Sequence, residues 1–213
     1  QAEREANERQ GVILERIRGG LADGRPIRDA GLDPDDERVL RGFRFLTQKP
    51  VLVLLNVGEG DLPRAAELVA DVARRYDHRQ ALVDALSARI EMELGQLDPE
   101  EAAVFAEELG ITESSLDRVI ALSYRLLGLI SFLTAGPDEV RAWPVPDGST
   151  AVDAAGAIHT DLARGFIRAE TVPYEDLVAL GSTAEARKHG KLRSEGRTYR
   201  VRDGDVVEIL FSK

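Results

Sequence analysis

The sequence predicts a doubly wound α/β unit with a helical-hairpin arm, followed by a small α+β domain. Three observations lead there. Two short apolar segments, Val51 to Leu55 and Ala81 to Leu86, are each followed by a loop and a helix-periodic stretch. The first 46 residues are strongly charged with apolar positions at helical spacing. The last 83 alternate short β-like runs with turns. With 213 residues, 43% apolar and 31% charged, the chain is long enough for one large or two small globular domains.

The elements follow in order. From Ala2 to Leu21, Val12, Ile13, Ile17 and Leu21 recur at helical spacing, which predicts one arm of a helical hairpin. The chain opens on Gln1 inside this uncapped pattern, which reads as the middle of something longer. Asp23-Gly24-Arg25-Pro26 breaks the helix, and Asp33-Pro34-Asp35-Asp36 starts a second, through Leu46, with acids at its positive end. VLVLLN, at 51–56, is apolar on both faces, as a buried parallel strand is, and a helix is expected near Pro63 to Arg75. Ala81 to Leu86 is the next strand, leading through Ser87-Ala88-Arg89 into a helix. Asp98-Pro99-Glu100-Glu101 starts another helix that Gly110 ends, and Thr112 to Leu127 makes one more.

From Ile130 the character changes to ISFLT, VRAWPV, FIRAETV, TYRV and VVEILF. Turns are expected at Ala135-Gly136-Pro137, Pro146-Asp147-Gly148 and Asp203-Gly204-Asp205. Ser149 or Thr150 can cap a helix running to Ile158. The expected result is a mixed sheet curled around one helix.

Composition excludes several classes of chemistry. With no cysteine there is no disulfide framework, thiol nucleophile or thiolate metal site, and a reducing compartment is permitted. No run approaches the roughly 18 to 20 apolar residues of a membrane-spanning helix. His78, His159 and His189 are isolated and read as surface or capping residues rather than metal ligands. The net charge of −10 is uneven: from Ser131 onward there are 11 Lys/Arg against 13 Asp/Glu. Within that part Arg187, Lys188, Lys191, Arg193, Arg197, Arg200 and Arg202 face one acid, Glu195. A basic island in an acidic chain, with Tyr199 interleaved for base stacking, suggests a polyanionic partner such as RNA. A solvated face is the alternative.

Two loop motifs sit where doubly wound sheets bind ligands, at the carboxyl ends of strands. Asn56-Val57-Gly58-Glu59 stands where guanine-nucleotide-binding folds carry Asn-Lys-x-Asp. There the Asp carboxylate accepts from two guanine donors, whereas adenine offers only its amine on that edge. The longer Glu59 and apolar Val57 remove the guanine-specific fork and suit adenine. Ser87-Ala88-Arg89, 31 residues on, matches the Ser-Ala-Lys loop that closes over the base. The alternatives are an Asn that caps its own turn and a Ser that caps a helix. The phosphate machinery is missing: the one Gly-Lys pair, Gly190-Lys191, is followed by Leu192 and has Glu185 where a phosphate loop needs its first glycine. Asp153-Ala154-Ala155-Gly156 has switch-motif spacing but lies inside the expected small-domain helix.

FLTAGPDEVRAW at 132–143, Ile158-His159-Thr160-Asp161, Arg164-Gly165-Phe166-Ile167-Arg168-Ala169-Glu170 and Gly190-Lys191-Leu192-Arg193 are similar to the TGS domain of the YchF/Obg-like ATPase family. Upstream, Lys49-Pro50-Val51, Asn56-x-x-Glu59 and Ser87-Ala88-Arg89-Ile90-Glu91 resemble the second half of that family's nucleotide-binding domain. The resemblance implies three parts: an arm over 1–46, half of a P-loop NTPase domain over 47–129, and a β-grasp TGS domain over 130–213. It implies a cytoplasmic, ribosome-associated hydrolase that prefers ATP to GTP and contacts the large subunit, with no membrane and a monomeric state. Asn56, Val57 and Glu59 would meet the base, and Ser87, Ala88 and Arg89 would close over it. Gly58 and Arg89 depart from the Ser and Lys of many members. Catalytic groups and Mg ligands are expected in the half this chain lacks, so the chain alone is expected to be inactive. A non-enzymatic RNA- or ribosome-binding TGS module is the other reading, with Arg187, Lys188, Lys191, Arg193 and Arg197 as its contacts.

Overall fold

A computed structural model describes residues 2–136 and 139–212, with side chains from residue 7 onward. Pro137 of the expected turn at 135–137, and Gln1, lie outside the described residues. The chain divides into two compact units, Gln1–Leu126 and Leu127–Lys213.

In the first unit α1 spans Ala2–Ala22 and buries Ile13 and Ile17 against Ile27 and Leu40, while Val12 and Leu21 are exposed. Gly24, at φ +76°, closes the break. Helix α2, Pro34–Leu40, is capped by the Asp33 carboxylate, which accepts from the Asp36 N–H at 2.7 Å. Asp36 in turn receives Arg9 at 2.8 Å, which ties the two helices together. The helix ends at Leu40, well short of the expected Leu46. Gly42 weakens it and Arg44 turns left-handed at φ 52°, so 41–43 and 46–48 form only short 3-10 turns.

The strands β1, Val51–Asn56, and β2, Ala81–Leu86, pair in parallel through α3, Ala65–Arg75. The pairing is as expected, but full burial of β1 is not observed: Leu54 is 40% exposed. Among the described residues β1 has β2 as its sole neighbour, which leaves one of its edges uncovered. After β2 come α4, Ala88–Leu94, α5, Pro99–Glu108, and α6, Ser115–Leu127. The last begins three residues later than expected, because the Ser114 hydroxyl accepts the Leu116 N–H at 3.2 Å and sets the start there.

A polar cluster joins the arm to the α/β part. Arg28 donates to the Thr47 and Lys49 carbonyls and to the Tyr76 hydroxyl. Asp29 receives His78 Nδ1 at 2.6 Å and the Arg79 N–H at 2.9 Å. His78 is therefore neither a free surface residue nor a cap, and an isolated histidine offers no hint of that along the chain. Burial pushes the Asp29 carboxyl up. The His78 and Arg79 hydrogen bonds and the charges of His78 and Arg28 outweigh that and hold it below its ordinary value. A lowered folded-state value stabilises above the unfolded carboxylate's pKa, about 3.9, and the stabilisation is lost as pH falls through the folded one. Asp29→Asn should therefore cost about 1–2 kcal/mol at neutral pH. In urea titrations the gap to wild type should close below about pH 4; a gap that does not change with pH would assign the pH dependence elsewhere.

The second unit is a five-stranded mixed sheet of order β4-β3-β7-β5-β6. The strands are β3, Leu129–Ala135, β4, Val140–Pro146, β5, Phe166–Pro173, β6, Arg193–Glu195, and β7, Asp205–Phe211. The β3–β7 pair is parallel and the others antiparallel. Helix α7, Ala151–Ile158, is capped by Thr150 in a reciprocal capping box with Asp153. That role accounts for Asp153, whose switch-like spacing is a coincidence of capping. Alanines 151, 154 and 155 let α7 sit close on Phe132, Val145, Ala169 and Val207.

Three further helices, α8, Thr160–Arg164, α9, Tyr174–Leu180, and α10, Thr183–Lys188, join the expected one. Leu177, Leu180 and Ala186 cover a second cluster with Val172 and Val206. TYRV is not a strand: Arg200 makes one isolated bridge to Thr150, and Tyr199 and Val201 turn into the core. Strand β6, three residues long and polar, carries no alternation to read.

Candidate functional site

Strands β1 and β2 pair residue for residue, from Val51 opposite Ala81 to Asn56 opposite Leu86. The two candidate loops therefore leave the sheet side by side. One step beyond, the Val57 N–H donates to the Leu86 carbonyl at 2.9 Å. The Asn56 side-chain oxygen accepts the Ala88 N–H at 3.1 Å. Only an oxygen can accept there, so the side-chain orientation is settled and its NH2 is left as a donor. Asn56 thus caps neither its own turn nor a helix of its own. It ties the first loop to the second.

Val57 is half-buried, whereas Gly58 and Glu59 are exposed, with Glu59 opening a 3-10 turn over Glu59–Arg64. A Cβ at Gly58 would meet nothing within 4 Å, so the space accepts the serine that the resemblance leads one to expect. Ser87 is buried at 4% exposure and occupies the N-cap position of α4. Its hydroxyl makes no capping bond, so the helix-cap alternative fails in its usual form. Arg89 is exposed and pairs with Glu93 at 2.9 Å. That hydrogen bond, then the Glu93 charge, hold Arg89 protonated above its ordinary value. Glu59 adds a weaker attraction, which places the two loops' charged groups within electrostatic reach.

Behind the loop lies a cleft of about 190 Å³ lined by Ala85, Ser87, Ile90, Glu91, Ser115 and Arg118, among others. Arg118 was not singled out by sequence. Its Nε meets Asp84 at 2.7 Å, and its NH2 group donates to the Ala85 carbonyl at 2.7 Å. Glu91 accepts the Ser115 N–H at 3.4 Å. Helix α6 is thereby anchored to the end of β2, two residues before Ser87. A lone charge inside ALVDAL could have flagged Asp84, since a strand charge needs a partner. Nothing local points to the partner 34 residues on.

The basic island is a set of pairs. Arg187 meets Glu170 and Lys188 meets Glu185, both at 2.6 Å, and Lys191 meets Asp176 at 3.1 Å. Arg193 lies 3.6 Å from Glu195 and 3.7 Å from Asp205. Arg197 donates to the Phe166 carbonyl and stacks over its ring, and Arg200 donates to the Gly148 carbonyl. Arg187, Lys188, Lys191 and Arg193 are thus met by acids, all but Glu195 from outside the window. Tyr199 does not stand out for stacking: its ring packs on the core, and its hydroxyl donates to Asp205 at 2.7 Å while accepting from Arg193. Burial first, then the Asp205 hydrogen bond and charge, raise its pKa. His159 is a cap, its Nδ1 accepting the Asp161 N–H at 3.2 Å. Among the described residues no group of acids and histidines is arranged to hold a metal, and no helix is long and apolar enough to cross a membrane.

Residues 129–212 match the family YchF-GTPase_C, described as a protein of unknown function (DUF933). The ribosome-binding ATPase YchF of Bacillus subtilis is 43% identical over 202 residues, 94% of this chain and 55% of that protein. Obg-like ATPase 1 of Oryza sativa subsp. japonica is 36% identical over 202 residues, 94% of this chain and 51% of its own. Among solved structures, the Schizosaccharomyces pombe YchF GTPase superposes with a TM-score of 0.82 at 28% identity, covering 97% of this chain and 55% of that one. The chain spans about half the length of the curated relatives it matches. Over the residues it shares with them, the chain matches the C-terminal portion of the YchF/Obg-like ATPase family.

Proposed function

We propose that this chain supplies the base-reading half of a ribosome-associated P-loop ATPase that takes ATP in preference to GTP. The observation that carries the reading is the Asn56 side chain accepting the Ala88 N–H, which joins Asn56-x-x-Glu59 and Ser87-Ala88-Arg89 into one rim at the ends of two parallel strands. On this reading residues 1–46 are the arm, 47–129 the second half of the nucleotide domain, and 130–213 a β-grasp TGS domain. Val57 would lie against the flat face of adenine, and the Glu59 carboxylate would accept its single amine. The phosphates and Mg would be held by residues outside this chain, because phosphoryl transfer depends on positioning and charge neutralisation there. Residues 1–213 alone should then hydrolyse nothing, and phosphate release from ATP above buffer background would contradict that.

Base choice tests the reading. In a form of the protein that also carries a phosphate loop, Glu59→Asp with Val57→Lys restores the guanine-reading pattern. It should move the ATP/GTP affinity ratio toward GTP by about 1–3 kcal/mol, the worth of a bidentate base contact. An unchanged ratio would remove Asn56 to Glu59 from the site.

The proposed partner is the large ribosomal subunit in the cytoplasm, met by a monomer. The name of the Bacillus subtilis relative supports ribosome binding. Arg187 and Lys188 remain 66% and 70% exposed within their pairs. Exposed pairs contribute only about 0–1 kcal/mol, so RNA phosphates could take over these cations at little cost. Charge reversal at Arg187, Lys188, Lys191 and Arg193 should flatten the salt dependence of ribosome or RNA binding by about one counterion for each phosphate no longer met. An unchanged slope would place the ribosome-facing surface elsewhere.

A further inference from the structure

The first unit carries a second concave feature, which shares Glu91, Ile111 and Thr112 with the cleft behind the Ser87 loop. It is an open groove of about 480 Å³ lined by Leu94 of α4, Ala102, Ala103 and Ala106 of α5, and Ile111, Glu113 and Leu116. The concavity has a sequence cause: three alanines on one helix leave the volume that larger side chains would fill. Leu116 is 65% exposed, an apolar group facing water at the groove's edge.

The surrounding charge is one-sided. Between residues 91 and 117 there are nine acids and no lysine or arginine. Some are used: Glu93 holds Arg89, Glu91 accepts the Ser115 N–H, and Asp98 caps α5 by accepting from Glu100 and Glu101. Glu100, Glu101, Glu107 and Glu108, on the same ten-residue helix as the alanines, are exposed, and none has an ion-pair partner among the described residues. Glu113 lines the groove itself, and Glu100 and Glu107 stand at i−3 and i+4 from Ala103, so a cationic partner lying there would meet acids along its edge.

We propose that this groove docks a cationic amphipathic helix of a partner protein. Its aliphatic face would lie on Ala102, Ala103 and Ala106 beside Leu116 and its Lys/Arg flank would meet Glu100, Glu107 and Glu113, as helix-in-groove recognition requires. The acid rim repels nucleic acid and anionic lipid, so this surface is functionally the opposite of an RNA contact. The proposal is independent of base reading.

The test uses residues 1–213 and two synthetic peptides of about 15 residues. One has leucines at helical i, i+3/i+4, i+7 spacing with lysines elsewhere, and the other has the same composition scrambled. Calorimetry should show the patterned peptide binding at least tenfold more tightly than the scrambled one, and more weakly as salt is raised. Ala103→Arg, at an exposed position, should weaken it at least tenfold with circular dichroism unchanged. Glu100→Gln with Glu107→Gln should remove most of the salt dependence. Equal binding of both peptides would reveal mere charge attraction and overturn the proposal, as would an Ala103→Arg affinity within twofold of wild type. Sedimentation showing dimers whose formation Ala103→Arg abolishes would assign the groove to a second copy and overturn it equally.

Discussion

Phe132→Ala is expected to cost the second unit about 3–5 kcal/mol, the range for removing a fully buried aromatic ring from a packed core. Phe132 sits on β3 with no exposed surface, among Val145, Ala154, Ala155 and Phe166. The alanines of α7 cannot grow to fill the space, and the backbone on both sides is held by ladder bonds to β4 and β7. Relaxation should be small and the cavity term large. Whole domains are stable by about 5–15 kcal/mol, so the loss is a large share of what this unit has. Hydrogen exchange at the β3, β5 and β7 amides should accelerate accordingly. A loss below about 1 kcal/mol would mean that Phe132 is not the centre of that core.

Arg118→Met has the second largest expected effect. The substitution keeps the aliphatic stem while leaving Asp84, whose side chain is 20% exposed, and the Ala85 carbonyl without their partner. Breaking a fully buried pair costs about 3–5 kcal/mol. Partial exposure of both groups reduces that to about 2 kcal/mol. Asp84→Asn in the same background should recover part of it, so a double-mutant cycle should give a coupling energy of about 1 kcal/mol or more. The functional consequence is local. Arg118 holds the strand end that feeds Ser87 and Ala88, so the Asn56–Ala88 bond should loosen as well. A coupling energy near zero would show the pair to be screened by water and the loop to be held by its backbone alone.

Much of this architecture was legible because its causes are local. Asp33-Pro34 and Asp98-Pro99 placed helix starts through a cap and a proline, and Thr150 with Asp153 formed the box their spacing announces. Asn56 and Ser87 fell side by side because parallel pairing brings strand ends together whatever lies between them. The remainder depended on groups remote in sequence. The cations at 187–193 form an island along the chain and a paired surface in space, because Glu170 and Asp176 approach from another strand and helix. Tyr199 reads as an exposed aromatic until Asp205 is seen to take its hydroxyl. Leu54 lies in a strand apolar enough for two covered faces, yet stands half open beside the single neighbour β2. Arg28 and Arg118 have no local pattern at all, since each meets groups about twenty to fifty positions away.

Amide shifts of the chain, recorded by NMR as ATP and then GTP are added to millimolar concentration, test base reading by these two loops most directly. The expected result is a set of shifts centred on Val57, Gly58, Glu59, Ala88 and Arg89, larger with ATP than with GTP, and weakened by Asn56→Ala. Shifts that are equal for the two nucleotides, or that centre anywhere other than the joined ends of β1 and β2, would contradict it.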